Sequence, residues 1–342
     1  MIEIAKKTEE ELKELFQATA YKMGLPETIV EKDFWVCFLL DHLFHDSSFN
    51  DAFVFKGGTS LSKAFHVIER FSEDIDLILD WTKLDYPADE PWEERSNNQQ
   101  DKFNKRMNAA AALFYAEKLV PTLNYEIESK LGLKDCFEID ANDPMIVLFK
   151  YPVLFPDSQQ YLRPYVQLEI GPIAEWLPST QVEITPFAAE YYPKLFSKKT
   201  TFVRTIDVER TFWEKITILH KIKNWPEGKP VQKRYARHLY DVFQMVHSEV
   251  KQMAFAKKEL LERDALFKKK FYYAKSILYD TLTLQQVQLV PEGRILEELK
   301  TDYEAMKNMI YGPKPAFDEI IECLKNLEKE IHQLQGFKLV SN

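Results

Sequence analysis

The segment from residue 53 to residue 79 constrains the fold more than any other part of the 342-residue chain. The apolar run Phe53-Val54-Phe55 predicts a short buried strand, which leads directly into Gly57-Gly58, a pair that predicts a tight turn. A helix capped by Thr59 or Ser60 is predicted after the turn, through Ile68, and the apolar residues at 75–79 predict a second strand. The glycine turn and the beginning of the second strand are therefore expected at one edge of one sheet.

Two aspartates, Asp74 and Asp76, stand at the beginning of the second predicted strand. Side chains two residues apart on a strand project from the same face, so the two carboxylates are expected to lie together. Carboxylates this close repel each other, and both stay ionised when a cation lies between them. Hard oxygen ligands favour Mg²⁺ or Mn²⁺, and Mg²⁺ commonly binds one or two carboxylates together with substrate phosphates. The pair therefore predicts a divalent metal site.

The glycine turn predicts a phosphate-binding site, because it leaves backbone N–H groups free at the beginning of the predicted helix. It is not a Walker A loop, since Lys56 precedes the glycines instead of following them, and no GxGxxG pattern is present. Lys63 is expected to reach phosphate or, alternatively, solvent. Ser72 is expected to orient the carboxylates or contact phosphate, the alternative being an ordinary cap. A glycine pair or a DxD pair alone is common in turns and strand ends, whereas their combination on strand, turn, helix and strand is specific.

The rest of the chain changes character near residue 200. Before it, helical periodicity at 8–23, 26–44 and 101–119 alternates with strand-like segments at 137–139, 145–151, 165–170 and 181–184. After it, helices are predicted at 207–223, 232–246, 248–263, 267–282, 293–309 and 315–334. The predicted fold class is α+β, with a mixed sheet flanked by helices over residues 1–200 and a helical bundle over residues 201–342.

Composition excludes several classes of protein. The net charge of −9 argues against a dedicated duplex-DNA binder, which is usually basic. The three cysteines, Cys37, Cys136 and Cys323, have no CxxC spacing, so neither a zinc site nor a disulfide framework is predicted. No apolar run approaches the roughly 20 residues that span a bilayer, and the first ten residues do not resemble a signal peptide. A cytoplasmic protein without a membrane partner is therefore expected.

Residues 56–79, KGGTSLSKAFHVIERFSEDIDLIL, closely resemble the core motif of the AbiEii/AbiGii toxin family, which are nucleotidyltransferases of the DNA polymerase β-like superfamily. The resemblance spans about residues 28–245. One departure is His238, which follows Arg237 where many relatives have an aspartate. The further segments that resemble the family are Glu31-Lys32-Asp33-Phe34-Trp35, Tyr165-Val166-Gln167-Leu168-Glu169-Ile170-Gly171, Glu209-Arg210-Thr211-Phe212-Trp213-Glu214-Lys215-Ile216 and Arg237-His238-Leu239-Tyr240-Asp241.

The resemblance implies a role for each residue of the site. Glu169 would join Asp74 and Asp76 as a third metal ligand, the alternative being a surface ion pair. Lys215 would meet phosphate oxygens as the helical lysine of the family, the alternative being a surface lysine with a packed stem. Asp241 would be the last acidic position of the family, or a salt-bridge partner of Arg237 four residues earlier. The residues assigned to nucleotide binding are Lys56, Gly57, Gly58, Thr59, Ser60, Lys63 and Ser72.

The activity that the resemblance implies is two-metal nucleotidyl transfer, from a nucleoside triphosphate to an RNA acceptor such as the 3′ end of tRNA, or to a protein hydroxyl. Such a protein would be the toxin of a type IV AbiE-like toxin–antitoxin or abortive-infection system, with an antitoxin as its partner. Two alternatives remain open. One is a glycosyltransferase that uses the DxD pair, and the other is a catalytically degenerate binding protein of a defence complex.

Overall fold

A computed structural model describes residues 1–156, 163–175, 177–273 and 279–334. The chain forms two compact units. The first comprises Met1–Phe65 and Phe71–Ile206, and the second comprises His66–Arg70 and Asp207–Asn342. The first unit contains the sheet, and the second is helical.

A mixed sheet with the strand order β3-β4-β5-β2-β1-β7-β6 forms the framework of the first unit. The strands are β1 Phe53–Lys56, β2 Asp74–Leu79, β3 Phe137–Ile139, β4 Ile146–Phe149, β5 Val166–Gly171, β6 Ser179–Ile184 and β7 Thr201–Ile206. Strand β2 lies between β1, to which it is antiparallel, and β5, to which it is parallel. Strands β4 and β6 pair antiparallel with β5 and β7, and β1 pairs parallel with β7.

The register of the sheet aligns the polar residues at the beginning of β2 with those of its two neighbours. Asp76 lies opposite Lys56 on β1 and opposite Glu169 on β5. Asp74 lies opposite Gln167 on β5. Because register partners and residues two apart share a face of the sheet, these side chains belong to one surface of three neighbouring strands.

The helices of the first unit are α1 Ile2–Ala5, α2 Glu9–Met23, α3 Glu27–Asp41, α4 Gly57–Lys63, α5 Asn97–Phe114, α6 Val120–Leu131 and α7 Phe187–Tyr191. Helix α3 lies inside this unit and is buried along nearly its whole length from Val30 to its end. Its aromatic residues pack on one another and on the sheet, with Trp35 edge-on to Phe149 and stacked on Tyr151. Such a helix is largely apolar on all sides because it is covered on all sides.

The second unit contains the helices α8 Val208–Lys223, α9 Ala236–Val246, α10 Val250–Ala256, α11 Glu259–Phe271, α12 Gly293–Met306 and α13 Phe317–Gln333. They pack around α8 and α9. Helix α8 contacts α9, α10 and α11, while α9 contacts α12 and α13. The short segment 66–70 joins this unit through its backbone, since the carbonyl oxygen of Glu69 accepts a hydrogen bond from Tyr311 N.

The predicted fold class is confirmed, and the differences are local. Helix α4 begins at Gly57 itself and ends at Lys63, so it is shorter than predicted; the carbonyl oxygen of Ser60 accepts from both Ala64 N and Phe65 N and closes its last turn. Strand β7 was not predicted. The helices predicted at 248–263 and 267–282 are divided differently, as α10 and α11, and part of the second prediction, 274–278, lies outside the described residues. Within the described residues, none of the helices combines the length and the apolar character needed to cross a membrane.

Candidate active site

The beginning of β2 presents the two predicted carboxylates, Asp74 and Asp76, both half-buried. The Oδ1 atom of Asp74 is buried and has no hydrogen-bond partner among the described residues. Burial, and then the neighbouring charges of Glu73 and Asp76, raise the pKa of Asp74 to about 6. Arg163 and Lys32 offset part of this cost, and a further cation beside the carboxylate would stabilise its ionised form. The arrangement therefore fits a cation held by oxygen ligands.

The glycine turn lies directly against one of these carboxylates. Gly57 has a φ of +83°, and a Cβ atom placed on it would lie 1.9 Å from Oδ2 of Asp76. A side chain of any kind would therefore collide with the carboxylate, besides adopting a backbone conformation that L-residues avoid. Only glycine allows the turn to approach the aspartate this closely.

The hydroxyl groups that follow the glycines are used within the turn. Thr59 Oγ1 donates to the backbone carbonyl of Asp74, and Ser60 Oγ donates to the carbonyl of Gly57 at 2.8 Å. Both residues are buried. The bond from Thr59 fastens α4 to β2, so these hydroxyls hold the turn beside the aspartates.

Glu169, the third carboxylate of the predicted metal site, lies on β5 opposite Asp76. It is exposed, and its Oε1 accepts a hydrogen bond of 2.8 Å from Gln167 Nε2. Gln167 Oε1 in turn accepts from the guanidinium of Arg163. Throughout the described parts of the chain, no group of three or more His, Cys, Asp or Glu side chains lies close enough to hold a metal ion. Asp74 and Asp76 thus form a pair, with Glu169 on the neighbouring strand.

Lys63, predicted to reach phosphate or solvent, does neither. Its Nζ lies 2.6 Å from Oδ1 of Asp33 and 3.9 Å from the ring centroid of Phe187, and the side chain is buried. Asp33 Oδ2 accepts a further hydrogen bond from Phe187 N at 2.7 Å. The side chain turns inward because a buried carboxylate on α3 is available to neutralise it. This placement corrects the prediction for Lys63.

The remaining predicted residues of the first unit lie at the same edge. Lys56 and Gly58 are half-buried on either side of Gly57. Ser72 is half-buried, and it lies two residues before Asp74, outside the helices and strands. Ser72 therefore caps no helix.

One ion pair next to the site was missed by the sequence analysis. Lys32 Nζ lies 2.5 Å from Oε2 of Glu73, the residue immediately before Asp74, and both side chains are buried. The available signal was the run Glu31-Lys32-Asp33 directly before the apolar run 34–40 of the same helix, since three consecutive charges there have to be buried with partners.

The two residues predicted from the second unit, Lys215 and Asp241, contact each other there. Lys215 Nζ donates to Oδ2 of Asp241 at 2.6 Å and lies 3.3 Å from Nδ1 of His238. Arg70 binds the same carboxylate through Nε and Nη2, at 2.7 and 2.9 Å. Burial alone would raise the pKa of Asp241, but Arg70 and Lys215 hold it well below its usual range. The partners of Asp241 thus include Arg70 and Lys215.

The comparison with known protein families agrees with the motif. The family model described as nucleotidyl transferase AbiEii toxin, type IV toxin–antitoxin system, matches residues 39–323. Among solved structures, MenT4, a nucleotidyltransferase toxin from Mycobacterium tuberculosis H37Rv, is 14% identical and covers 96% of this chain and 98% of its own, with a TM-score of 0.39. JHP933 from Helicobacter pylori is 13% identical and covers 90% of this chain and 98% of its own, with a TM-score of 0.33. No curated protein matches the chain. Because the family model covers most of the sequence, the chain belongs to the AbiEii family of nucleotidyltransferase toxins of type IV toxin–antitoxin systems.

Proposed function

We propose that this protein transfers a nucleoside monophosphate from a nucleoside triphosphate to an acceptor hydroxyl, and that Asp74 and Asp76 hold the divalent cation that the reaction uses. The observation that carries the proposal is the pair of carboxylates at the beginning of β2, with Oδ1 of Asp74 buried and without a partner among the described residues. An oxygen in this state favours a cation, and oxygen ligands favour Mg²⁺ or Mn²⁺.

The cation, when bound, supplies activation of the acceptor hydroxyl and neutralisation of the leaving pyrophosphate. The two aspartates supply two oxygen ligands, which matches the habit of Mg²⁺ of binding one or two carboxylates and completing its shell with phosphates and water. We propose Glu169, opposite Asp76 on β5, as a third carboxylate that approaches the pair when the cation binds, because these three carboxylates of the described chain do not lie close enough to hold it beforehand. The contribution of the protein is mainly to fix these oxygens in place before substrate arrives.

The triphosphate is proposed to bind at the glycine turn. Gly57 brings the backbone against the Asp76 carboxylate, so a phosphate held by the N–H groups of the turn would share the cation with the aspartates. Lys56, opposite Asp76 on β1, adds a positive charge to this edge of the sheet. Thr59 and Ser60 serve the nucleotide by holding the turn, through their bonds to Asp74 and Gly57.

Lys215 and Asp241 enter the proposal on the family resemblance, which assigns to them a phosphate-binding lysine and a conserved acid. Their contacts with Arg70 and His238 within the helical unit support a structural role equally well. Substitution of each, with activity measured per folded molecule, separates the two roles.

The acceptor is proposed to be RNA, with the 3′ end of tRNA as the candidate, and the cognate antitoxin is proposed as a protein partner. The family supports a toxin, and modification of tRNA would stop translation. The alternative acceptor is a protein hydroxyl. The chemistry at the Asp74 and Asp76 pair is the same in both cases.

Labelling of cellular material tests the proposal. The protein is incubated with a cell extract that contains RNA and protein, with Mg²⁺, and with each labelled nucleoside triphosphate or labelled nucleotide sugar in a separate reaction. The double variant Asp74→Ala, Asp76→Ala is compared with Glu138→Ala, which removes an exposed carboxylate of the same sheet. We expect a labelled RNA band with the wild type and with Glu138→Ala, and none with the double variant. Label confined to protein would move the acceptor to a protein hydroxyl. Label from nucleotide sugars alone would favour a glycosyltransferase, and absence of all label would favour a degenerate binding protein.

A further inference from the structure

Three consecutive charged side chains on α3 are buried in the interior of the first unit. Glu31, Lys32 and Asp33 expose only 1%, 1% and 3% of their surface. Burial of a charge is costly unless a partner and hydrogen bonds compensate it, so three in a row are rarely accidental. Successive residues of a helix point about 100° apart, and each of the three therefore reaches a different part of the fold.

Lys32 reaches the segments that lead into β2 and β5, the two strands that carry the carboxylates. Its Nζ donates to Oε2 of Glu73 at 2.5 Å and to the carbonyl oxygen of Arg163 at 2.9 Å. Glu73 immediately precedes Asp74 on the chain, and its Oε2 also accepts from Arg163 N. The guanidinium of Arg163 continues the network to Gln167, which donates to Glu169. One lysine thus fixes the approach to β2 and to β5 together.

Asp33 reaches the helix that carries the glycine turn. Its Oδ1 lies 2.6 Å from Nζ of Lys63, the last residue of α4, and its Oδ2 accepts from Phe187 N at the beginning of α7. Helix α4 has only two turns, so an ion pair at its last residue restrains Gly57 and Gly58 at its beginning.

Glu31 reaches neither segment. Its carboxylate accepts hydrogen bonds from Leu154 N at 2.7 Å and from Phe155 N at 3.4 Å. It shares the helix, the burial and the ionisable character of its two neighbours, and its partners lie outside the strand and turn of the site. Glu31 is therefore a matched control.

We propose that Lys32 and Asp33 are positioning residues of the transfer reaction, with Lys32 holding the metal-binding carboxylates through Glu73 and Asp33 holding the nucleotide-binding turn through Lys63. The inference rests on the proposed function and deepens it. Helix α3 is the common support, because Trp35 and its aromatic neighbours lock it against the sheet. Because Lys32 and Asp33 hold different parts of the site, substitutions of the two residues are expected to cause two different defects.

Steady-state label transfer by Lys32→Met, Asp33→Asn and Glu31→Gln tests the proposal. Lys32→Met is expected to raise the Mg²⁺ concentration for half-maximal rate by about 10–100-fold, as loss of a group that orients a ligand usually does, and to leave the KM for the triphosphate near wild type at saturating Mg²⁺. Asp33→Asn is expected to raise that KM and to leave the Mg²⁺ requirement near wild type. Glu31→Gln is expected to change neither. Equal defects in all three variants would overturn the proposal. A lowered kcat with no change in the Mg²⁺ requirement of Lys32→Met and none in the triphosphate KM of Asp33→Asn would also overturn it.

A second variant separates positioning from folding. Lys32→Met with Glu73→Gln removes both charges of the buried pair, which is often tolerated when one unpaired charge is not. This double variant is expected to fold and to keep the raised Mg²⁺ requirement of Lys32→Met. Unfolding of both variants would indicate a purely structural pair and would also overturn the proposal.

Binding measurements test the positioning roles of Lys32 and Asp33 separately from the proposed transfer activity. If the wild type transfers no label to any acceptor, the proposed function fails, and calorimetric titration with Mn²⁺ and with a nucleoside triphosphate decides the positioning roles. Weaker Mn²⁺ binding by Lys32→Met and weaker triphosphate binding by Asp33→Asn support them. A wild type that binds neither probe, or variants that bind like the wild type, would refute them.

Discussion

Gly57 and Asp76 lie so close that a Cβ atom on the glycine would be 1.9 Å from Oδ2 of the aspartate. The contact joins the first residue of α4 to the strand that carries the carboxylates. Neither element can shift without the other, because Thr59 also bonds to the backbone of Asp74. A displacement of the glycine turn would therefore also displace the aspartates, so the geometry of the proposed phosphate site and that of the proposed metal site depend on each other.

Gly57→Ala is expected to lower the rate of nucleotidyl transfer about 100-fold while the protein stays folded. The new methyl group forces the Asp76 carboxylate aside, and displacement of a reacting group by about 1 Å commonly costs about 100-fold in rate. Label transfer, with circular dichroism as the check on folding, measures the effect.

Gly132→Ala is the control for this substitution. Gly132 also has a positive φ, of +73°, but a Cβ atom on it would meet nothing within 4 Å. The variant is expected to lose about 1 kcal/mol of stability from backbone strain and to keep its activity. Equal activity loss in both variants would show that strain, not the collision with Asp76, is the cause.

Asp74→Asn is expected to keep or raise the thermal stability of the protein when no divalent cation is present. It removes a buried negative charge whose Oδ1 has no hydrogen-bond partner among the described residues and which faces the like charges of Glu73 and Asp76. In chelator, its thermal midpoint is therefore expected to equal or exceed that of the wild type, although most single substitutions are destabilising.

The same comparison in Mg²⁺ tests the metal site. Saturating Mg²⁺ or Mn²⁺ is expected to raise the midpoint of the wild type and not that of Asp74→Asn, because a cation that binds only the native state stabilises it. Glu138→Gln, which replaces an exposed carboxylate on β3, is expected to respond like the wild type. An Asp74→Asn protein that responds fully to the cation would contradict the assignment of this residue as a metal ligand.

The parts of the fold that depend on local sequence were predictable. The strand, glycine turn and second strand between residues 53 and 79 follow from apolar runs and turn residues, and the alternation on β2 places Asp74 and Asp76 on one face. Strand β7 is an exception. Its pairing with β1 and β6 depends on strands distant in sequence, and only Asp207 separates it from α8, so no turn signal marks its end.

The parts that depend on distant partners were not predictable. The sequence suggests a phosphate-binding or solvent-facing role for Lys63 until Asp33, on a different helix, is brought beside it. From the sequence, one interpretation pairs Asp241 with Arg237 on its own helix. In the structure, Arg70 and Lys215 hold its carboxylate. Ion pairs between distant elements leave no periodic pattern in the sequence, and only the run of three charges at 31–33, beside the apolar run 34–40, hints at them.

Glu31 is expected to make the stability of the protein depend on pH. Burial raises the pKa of its carboxyl to about 7, although the hydrogen bonds from Leu154 N and Phe155 N oppose the shift. The folded state therefore binds the proton more tightly than the unfolded state. The resulting stabilisation is complete below the ordinary pKa of 4.5 and is lost as the pH rises through about 7.

Glu31→Gln should remove this dependence, which amounts to about 3 kcal/mol between about pH 4.5 and about pH 8. Denaturant titrations of the wild type and the variant at the two ends of this range measure it. The exposed Glu27 on the same helix provides the control variant Glu27→Gln, since it is not removed from water. If the free energy of unfolding changed with pH by the same amount in the wild type and in Glu31→Gln, Glu31 would be ruled out as the titrating group.

Asp241→Asn is expected to destabilise the protein by about 3–5 kcal/mol at neutral pH. The substitution leaves Arg70 and Lys215 buried without the charge that compensates them, and removal of one partner from a buried ion pair costs about this much. Because the pKa of Asp241 is depressed in the folded state, its stabilisation is present above the ordinary value and is lost as the pH falls toward the depressed one. The gap in the free energy of unfolding between wild type and variant should therefore narrow in acid.

Two further measurements are needed to interpret the stability of Asp241→Asn. One is the stability of a variant that breaks an exposed ion pair, and the other is the transfer activity of Asp241→Asn itself. Asp280→Asn, which breaks the exposed pair with Lys269, is expected to change the free energy of unfolding by less than about 1 kcal/mol. A stable Asp241→Asn protein without transfer activity would assign this carboxylate a direct part in the reaction, because its charge would then be needed for chemistry and not for folding. An unstable variant with normal activity per folded molecule would instead confine Asp241 to the architecture of the helical unit.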